Sequence, residues 1–319
     1  METVGFGIIG TEGLWSELHA RIYSTTEGIS LAGVADIVEH KAESFAKSYG
    51  TMHYTDYHAL LADEMVKAVS VLTPPRTRAE VVIAAVEAGK HVLVEPPLAL
   101  TPAGCASVAK VAEKSKVKIM VGFRNRWIRE LQELKQSLPT AGGIEFVSFQ
   151  TNYRKNIPAQ KLDWVNNVTI EWFSGIHSVD TVYWLLNDEV RRVYAVKGSQ
   201  DSNKGGNYCQ AVLELNSGVT AYLEDAWTLP LSSEDFVELV AKVVGDQKVL
   251  YTGVRHSSDV LESVEGCEAK CVRAFIDCIL HNHDISVTYK DGLKAALVVH
   301  AMEMSVVTGL PAKVEELSA

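Results

Sequence analysis

A glycine-rich stretch near the start of the chain has the residue types that bind a dinucleotide. Gly5-Phe-Gly-Ile-Ile-Gly10 matches the pattern G-x-G-x-x-G letter for letter. In that motif the glycines follow a strand and open a helix, so that backbone N–H groups can approach a pyrophosphate. Here the match overlaps the only candidate for the first strand, residues 4–9. We therefore predict that a nucleotide turn begins at Gly10.

The residues after Gly10 fit the motif in two ways. Without a gap, the second and third glycine positions fall on Glu12 and Trp15. Glu12 would then place a carboxylate where the backbone approaches the pyrophosphate, and Trp15 would place a bulky ring where the helix packs closely on the sheet. With a turn one residue longer, they fall on Gly13 and Ser16, which are both small. Both alignments stay open, as does a tight turn without a ligand. The candidate cofactor-binding residues of this stretch are Gly10, Thr11, Glu12, Gly13 and Ser16.

Asp36 is a candidate for binding the ribose of the nucleotide. It ends the second apolar run, 26 residues after Gly10, and an acid about 20 residues on binds the 2′-hydroxyl in the motif. Ile37 and Val38 offer no cation for a 2′-phosphate, although Lys41 is near enough in sequence to reach one. The spacing favours NAD over NADP, and the alternative role for Asp36 is that of a helix N-cap.

Short apolar runs alternate with amphipathic stretches over the first part of the chain. The runs are continuously apolar, as strands buried on both faces must be, and they cover 4–10, 30–36, 67–73, 91–95 and 118–122. Helices are expected between them at 14–25, 40–49, 57–63, 76–88 and 101–115, the last with Thr101 as its N-cap. This alternation predicts an α/β fold with a doubly wound parallel sheet, a Rossmann-type dinucleotide-binding domain over residues 1–123.

After residue 123 the strands alternate polar and apolar residues. The expected helices are 124–137, 169–186, 266–281 and 290–308, and the expected strands are 144–153, 190–198, 208–215, 219–227, 235–243 and 247–251. Asn216-Ser217-Gly218 predicts a hairpin turn. We expect an α+β domain over 124–319 with an open, mostly antiparallel sheet, whose last helix packs back on the first domain.

Composition narrows the class of partner. The chain of 319 residues carries 30 Lys and Arg against 40 Asp and Glu, a net charge of −10, and no block of basic residues, so nucleic acid and anionic membranes are not expected partners. No apolar stretch approaches the roughly 20 residues of a membrane span.

Five cysteines suggest no disulfide framework, and we expect a cytoplasmic protein. Three of these cysteines precede two histidines with no standard zinc spacing, so no metal is predicted; the residues are Cys267, Cys271, Cys278, His281 and His283.

Three stretches together resemble the glucose–fructose oxidoreductase, inositol dehydrogenase and rhizopine-catabolism family, written Gfo/Idh/MocA. They are residues 71–100, 118–127 and 170–186, and the resemblance runs from the first strand to the last helix. It implies a Rossmann domain followed by an open-sheet domain, and an NAD(P)-dependent oxidoreductase acting on sugars, cyclitols or similar polyols. It also implies a homodimer or homotetramer formed through the open sheet.

Carried over residue by residue, the resemblance is uneven in the first domain. Thr73 and Pro74 match the Thr-Pro that ends a central strand where the cofactor passes. Glu95 and Pro97 match the ends of the Glu-Lys-Pro signature, but the Lys between them is Pro96 here. The resemblance makes Thr73, Pro74, Glu95 and Pro96 candidate cofactor-binding residues, without the ammonium group that the family places near the reacting hydroxyl.

The second domain also departs from the family. Where the family has Asp-x-Gly-x-His, directed at the substrate, this chain has Phe173 and His177; Asp180 matches the family's pattern. The resemblance and the basic stretch 124–127 make Arg124, Trp164, Phe173 and His177 candidate substrate residues. Hydride transfer from an alcohol needs a base for the hydroxyl proton, and Phe173 cannot accept one. His177 is the candidate catalytic residue, or else an inert helical histidine, and Tyr153 and Lys155 are the possible substitutes.

Two functions remain open at this point. The first is an atypical NAD(P)-dependent oxidoreductase of a sugar-like or cyclitol substrate that uses His177. The second is a catalytically silent relative that binds a nucleotide or metabolite as a sensor or partner protein.

Overall fold

The computed structural model describes residues 3–12, 14–155, 168–198, 207–257 and 260–314. The chain divides into two compact units. The first contains the chain as far as Phe123 together with Glu268–Leu293, and the second contains Arg124–Cys267 and the chain from Lys294 onward. Among the helices of the described residues, none is long and apolar enough to cross a membrane.

The first unit contains a parallel six-stranded sheet in the order β3-β2-β1-β4-β5-β6. Its strands are β1 (Val4–Ile9), β2 (Ile29–Ala35), β3 (Met52–Tyr54), β4 (Val66–Val71), β5 (His91–Val94) and β6 (Ile119–Val121). Chain order reverses between β1 and β4, and ligands of such sheets bind beyond the carboxyl ends of the strands at this point. The predicted doubly wound fold class is confirmed.

Helices link these strands close to where the sequence predicts them. They are α1 (Leu14–Thr25), α2 (Glu39–Tyr49), α3 (Tyr57–Ala62), α4 (Pro75–Glu87) and α5 (Pro102–Ala112). Thr101 caps α5 by accepting the Gly104 N–H at 3.1 Å, as its sequence predicts. The sequence analysis missed β3, a three-residue strand at the edge of the sheet with exposed side chains and therefore no apolar run.

The second unit contains a seven-stranded sheet in the order β12-β11-β7-β10-β9-β8-β13. Its strands are β7 (Ile144–Arg154), β8 (Val190–Gly198), β9 (Tyr208–Leu215), β10 (Thr220–Leu229), β11 (Asp235–Gly245), β12 (Val249–Ser257) and β13 (Ala312–Lys313). All neighbouring pairs are antiparallel except β7 and β10. The predicted hairpin joins β9 to β10, with Gly218 at a φ of 93°.

Four helices complete the description: α6 (Arg129–Ser137), α7 (Ile176–Leu186), α8 (Val260–Leu280) and α9 (Tyr289–Thr308). Two of the predicted helices begin differently. Arg124–Trp127 forms a 3₁₀ turn before α6, and Glu171–Gly175 forms a π turn before α7. π turns are rare in proteins, and those that occur are often at functional sites. The 3₁₀ turn and the π turn of this chain both carry candidate substrate residues.

Candidate cofactor and substrate sites

Gly10 lies where the carboxyl ends of β1 and β4 meet. Its φ is 95°, and a Cβ on it would lie 2.9 Å from the Leu72 carbonyl carbon and 3.0 Å from the Thr73 nitrogen. Only glycine allows this backbone conformation together with so close an approach. Gly5 and Gly7 lie inside β1, so the literal motif belongs to the strand. The turn that follows Gly10 is at the point of the sheet where a dinucleotide would bind.

Asp36 is joined to this turn by hydrogen bonds. Its Oδ2 accepts from the Thr11 N–H at 2.9 Å and from the Thr11 hydroxyl at 2.7 Å, and its Oδ1 accepts from the Val38 N–H at 3.0 Å. The N-cap of α2 is Val38, so Asp36 itself does not cap the helix. The carboxylate is half-buried at the end of β2 and retains lone pairs for a ribose hydroxyl.

The other residues of the turn have different surroundings. Ser16 is completely buried, and its hydroxyl donates to the Thr11 carbonyl at 2.9 Å, so it supports the turn from inside the unit. Glu12 is exposed and pairs with Lys41 at 3.2 Å, which offsets its negative charge. Gly13 lies outside the described residues, and α1 begins directly after it. A buried small residue at position 16 favours the longer of the two alignments.

Arg78 connects the two strand ends that carry the Thr-Pro and Glu-x-Pro stretches. Its Nε and Nη2 donate to the Thr73 carbonyl at 3.1 and 2.7 Å, and its Nη1 donates to the carbonyls of Glu95 and Pro97, both at 3.0 Å. The side chain is 2% exposed. Sequence reasoning missed this residue, although an arginine on the apolar face of α4 is a signal that could have revealed it.

Thr73 provides a direct test of whether a cofactor fits here. Its Oγ1 is buried and has no hydrogen-bond partner among the described residues, and a buried polar group without a partner is costly. Pro74 is exposed at the start of α4, whereas Pro96 is buried beside Glu95. The unpartnered hydroxyl, the Gly10 turn and the Asp36 carboxylate fit a dinucleotide at the carboxyl edge of this sheet.

A buried polar cluster lies within the first unit and was also missed. The Nδ1 of His19 lies 2.8 Å from the Ser70 hydroxyl, and its Nε2 lies 3.2 Å from Glu268 Oε1. Ser70 also contacts the Tyr23 hydroxyl at 2.5 Å. Burial lowers the pKa of His19 to about 4, which the charge of Glu95 opposes. His19 is therefore neutral at physiological pH, and the cluster stands beside the buried Glu95 carboxyl.

In the second unit, three consecutive residues of the 3₁₀ turn bind one face of α7. The Arg124 Nη1 lies 3.3 Å from the His177 Nε2. Asn125 donates to the Thr181 hydroxyl at 3.1 Å, while Arg126 binds both carboxylate oxygens of Asp180 at 2.9 and 2.6 Å. These α7 residues are three and four positions apart, so they share a face. Asp180 and Thr181 thus anchor the turn that presents Arg124 to His177.

Tyr153 and Phe173 join this pair. Their rings lie 5.6 Å apart between centroids, edge to face, and Phe173 is 5.7 Å from the Trp227 ring. Burial raises the pKa of the Tyr153 hydroxyl, and the positive charge of Arg124 opposes that rise. The structure therefore brings together four of the sequence candidates of this unit, namely Arg124, Tyr153, Phe173 and His177.

The remaining sequence candidates lie elsewhere. Lys155 is exposed beyond β7, and its backbone N–H donates to the Leu229 carbonyl. Trp164 lies outside the described residues. Cys271 and Cys278 are both buried. His281 and His283 are exposed and each contacts a carboxylate oxygen of Asp277, with which they could hold an ion.

These features define a class: an α/β unit with a dinucleotide-type turn, and an α+β unit with an open sheet and a buried histidine in contact with a half-buried arginine. Residues 4–123 match the model of an oxidoreductase family with an NAD-binding Rossmann fold, and residues 143–251 match the C-terminal domain of the same family, Gfo/Idh/MocA. The chain belongs to that family, and its first unit is an NAD-binding domain.

Named relatives agree with this assignment. Inositol 2-dehydrogenase of Salmonella paratyphi B is 28% identical over 228 residues, which cover 69% of this chain but only 65% of the relative. Myo-inositol 2-dehydrogenase of Thermotoga maritima is 24% identical over 335 residues, 98% of each chain. The structure of scyllo-inositol dehydrogenase from Lactobacillus casei, with NAD(H) and scyllo-inositol, has a TM-score of 0.86 at 18% identity, covering 98% of this chain and 99% of that one.

Proposed function

We propose that this protein is an NAD-dependent oxidoreductase that oxidises a hydroxyl group of a cyclitol or sugar-like substrate. The observation that carries the proposal is the Gly10 turn at the β1–β4 switch point, with Asp36 hydrogen-bonded to it. The named relatives are dehydrogenases of inositols, which favours an enzyme over a catalytically silent sensor. NAD, when bound, accepts a hydride from the carbon that bears the reacting hydroxyl.

The first unit holds the nucleotide through groups already described. The N-terminus of α1 and the backbone N–H groups after Gly10 attract the pyrophosphate, and the Lys41 ammonium offsets the Glu12 carboxylate nearby. Asp36 accepts from the ribose hydroxyls and repels a 2′-phosphate, which favours NAD over NADP. Thr73 supplies a buried hydroxyl that gains a partner on binding.

The second unit provides the groups that recognise a polyol. Because a guanidinium can only donate, the Nε2 of His177 accepts the hydrogen bond from Arg124. The pair offers a donor and a fixed positive charge for an oxygen that becomes negative as hydride leaves. Phe173 and Trp227 add an apolar surface for the C–H face of a ring, a combination typical of small-molecule sites.

Binding and turnover test the proposal separately. NAD should quench the fluorescence of Trp15, next to the turn, and a panel of inositols and sugars should produce NADH that absorbs in the near ultraviolet. His177→Asn should leave NAD binding intact and reduce turnover by roughly 10²-fold or more. Absence of NAD binding at millimolar concentration would remove the oxidoreductase assignment. Turnover that survives His177→Asn would retain the activity and reject this site.

We also propose that the open face of the second sheet forms a homo-oligomer. Tyr194 of β8 lies opposite Val212 of β9, which lies opposite Tyr222 of β10, and the first two are 43% and 45% exposed. Such a row of apolar side chains on one sheet face is typical of an interface. Val212→Lys should give a monomer in sedimentation analysis, whereas Val307→Lys, at an 81% exposed position on α9, should not. An unchanged mass for Val212→Lys would reject this interface.

A further inference from the structure

The end of α8 carries three side chains of the kinds that bind transition metals. Asp277 lies in the last turn of the helix, and His281 and His283 follow the end of the helix at Leu280. The His281 Nδ1 lies 2.9 Å from Asp277 Oδ1, and the His283 Nδ1 lies 2.8 Å from Asp277 Oδ2. One nitrogen of each ring and one carboxylate oxygen all lie within 4.8 Å of one another. Two imidazoles and a carboxylate are thus gathered at one point of the surface.

The backbone after α8 explains how two histidines two positions apart face the same carboxylate. His281 is four positions after Asp277, so it lies one helical turn further along the same face. Asn282 then has a φ of 54°, a left-handed conformation that asparagine adopts more readily than most residues. The chain leaves its helical course at this residue, and the His283 ring lies against the helix that the chain has just left.

Contacts with the edge of the parallel sheet hold this turn in place. Lys118, which directly precedes β6, donates from its ammonium group to the His283 carbonyl. A few residues further on, the Val287 carbonyl accepts from the Val121 N–H at 3.0 Å. The backbone on which the three side chains stand is therefore ordered before any ion arrives, which reduces the entropy lost on binding.

The electrostatics of the turn favour a cation. Hydrogen bonds from the two imidazoles, chiefly that from His283, lower the pKa of the Asp277 carboxyl, so the group is ionised at neutral pH. The last carbonyls of α8 carry the partial negative charge of a helix C-terminus at the same end. Lys118 brings one positive charge to the turn and Asp284 one negative charge, and these two charges offset each other.

We propose that Asp277, His281 and His283 bind one divalent transition-metal ion of the zinc type. The ion takes one carboxylate oxygen and the Nδ1 of each imidazole. A neutral imidazole carries its proton on one ring nitrogen and a lone pair on the other, so each Nδ1 coordinates once its proton has moved to Nε2. The three side chains are between 53% and 61% exposed, and water can therefore supply the fourth ligand of a tetrahedral ion.

The types of ligand select the class of metal. Imidazole nitrogen suits Zn²⁺, Cu²⁺ and Ni²⁺, whereas Ca²⁺ and Mg²⁺ prefer oxygen ligands throughout. The nearby Cys278 is buried, and its Sγ lies 3.3 Å from the Asp284 carbonyl oxygen, so it is not among the ligands. The cysteine spacing that argued against a zinc site therefore does not bear on this one. A bound ion would link the end of α8 to the segment that leads to the edge of the sheet, and would stabilise the folded chain.

Zinc titration of the full chain tests the site after bound metal has been removed with a chelator. Calorimetry should show one ion per chain, and His281→Ala, His283→Ala and Asp277→Asn should each lower the zinc affinity at least tenfold. His300→Ala is the matched control, because His300 is an exposed histidine of α9 that lies 3.6 Å from the single carboxylate of Glu303. This variant should bind zinc as the wild type does.

Independent readouts separate a built site from adventitious binding. Zinc should raise the melting temperature of the wild type and of His300→Ala but not that of the three ligand variants, whose folding is checked by circular dichroism. The ¹⁵N shifts of the His281 and His283 rings should change at Nδ1 when zinc is added.

Three results would overturn the proposal. The first is a wild type without saturable zinc binding. The second is wild-type affinity in any of the three ligand variants, because the ion would then be held by other groups. The third is an equal loss in His300→Ala, because zinc would then bind to surface histidines in general. The site shares no residue with the nucleotide turn or with the polyol groups, so the results of the NAD and turnover assays leave this test unaffected.

Discussion

Replacing the buried Arg78 tests whether one side chain holds two strand ends of the cofactor domain together. In Arg78→Met the carbonyls of Thr73, Glu95 and Pro97 lose their donors. Each buried acceptor left without a partner costs about 1–3 kcal/mol, which gives roughly 3–9 kcal/mol for the three. Methionine fills nearly the same length, so the loss of packing is small.

Arg78→Met also removes a buried positive charge, which offsets part of the free energy lost at the three carbonyls. Burial lowers the pKa of the Arg78 guanidinium to about 10, although the charge of Glu95 opposes that shift. At about 1.4 kcal/mol for each pKa unit, burial of the charge costs about 3 kcal/mol. We therefore expect Arg78→Met to lower the free energy of unfolding by about 3 kcal/mol and NAD affinity by at least tenfold.

Urea unfolding followed by circular dichroism, together with NAD titration by Trp15 fluorescence, measures both quantities. Arg76→Met is the matched control, since Arg76 is an exposed residue of the same helix and should change neither value. An Arg78→Met protein with unfolding free energy within 0.5 kcal/mol of the wild type would refute the reasoning, because the three carbonyls would then have found other donors.

Four further perturbations test the two units. Gly10→Ala should weaken NAD binding at least tenfold in calorimetry and lower the melting temperature, since its Cβ would overlap the β4 end at a φ of 95°. Asp36→Ala should lower the affinity for NAD by about tenfold and the affinity for NADP by less, so that the same titration shows a smaller preference for NAD over NADP. Burial raises the pKa of folded Asp225 to about 7, so the free energy of unfolding should fall by about 3 kcal/mol as pH rises from 4 to 7; urea unfolding of Asp225→Asn should lack that slope. Phe173→Asp combined with Pro96→Lys should raise polyol turnover about tenfold or more in the NADH assay, unless the new carboxylate is held neutral by its apolar surroundings.

The sequence determined the fold class because its signals are local. Continuous apolar runs identify parallel strands that are buried on both sides, and period-two alternation identifies the open sheet. The nucleotide turn is equally local: Gly10 ends one strand, Asp36 ends the next along the chain, and both reach the same sheet edge because parallel strands point the same way. The resemblance to the family added His177, which the structure brings together with Arg124.

Tertiary structure alone decided how polar groups distant in sequence meet. His19 contacts Glu268 across 249 positions, and Ser174 contacts Asp225 across 51. Hydrophobic periodicity tells which face of an element is buried, but not which residue of another element lies opposite a given side chain. That depends on strand register and on the angle of each helix, which are set by the packing of the whole unit. For this reason the Gly10 turn could be predicted from the sequence, whereas the Arg78 link and the Ser174–Asp225 hydrogen bond became visible only once the elements were packed.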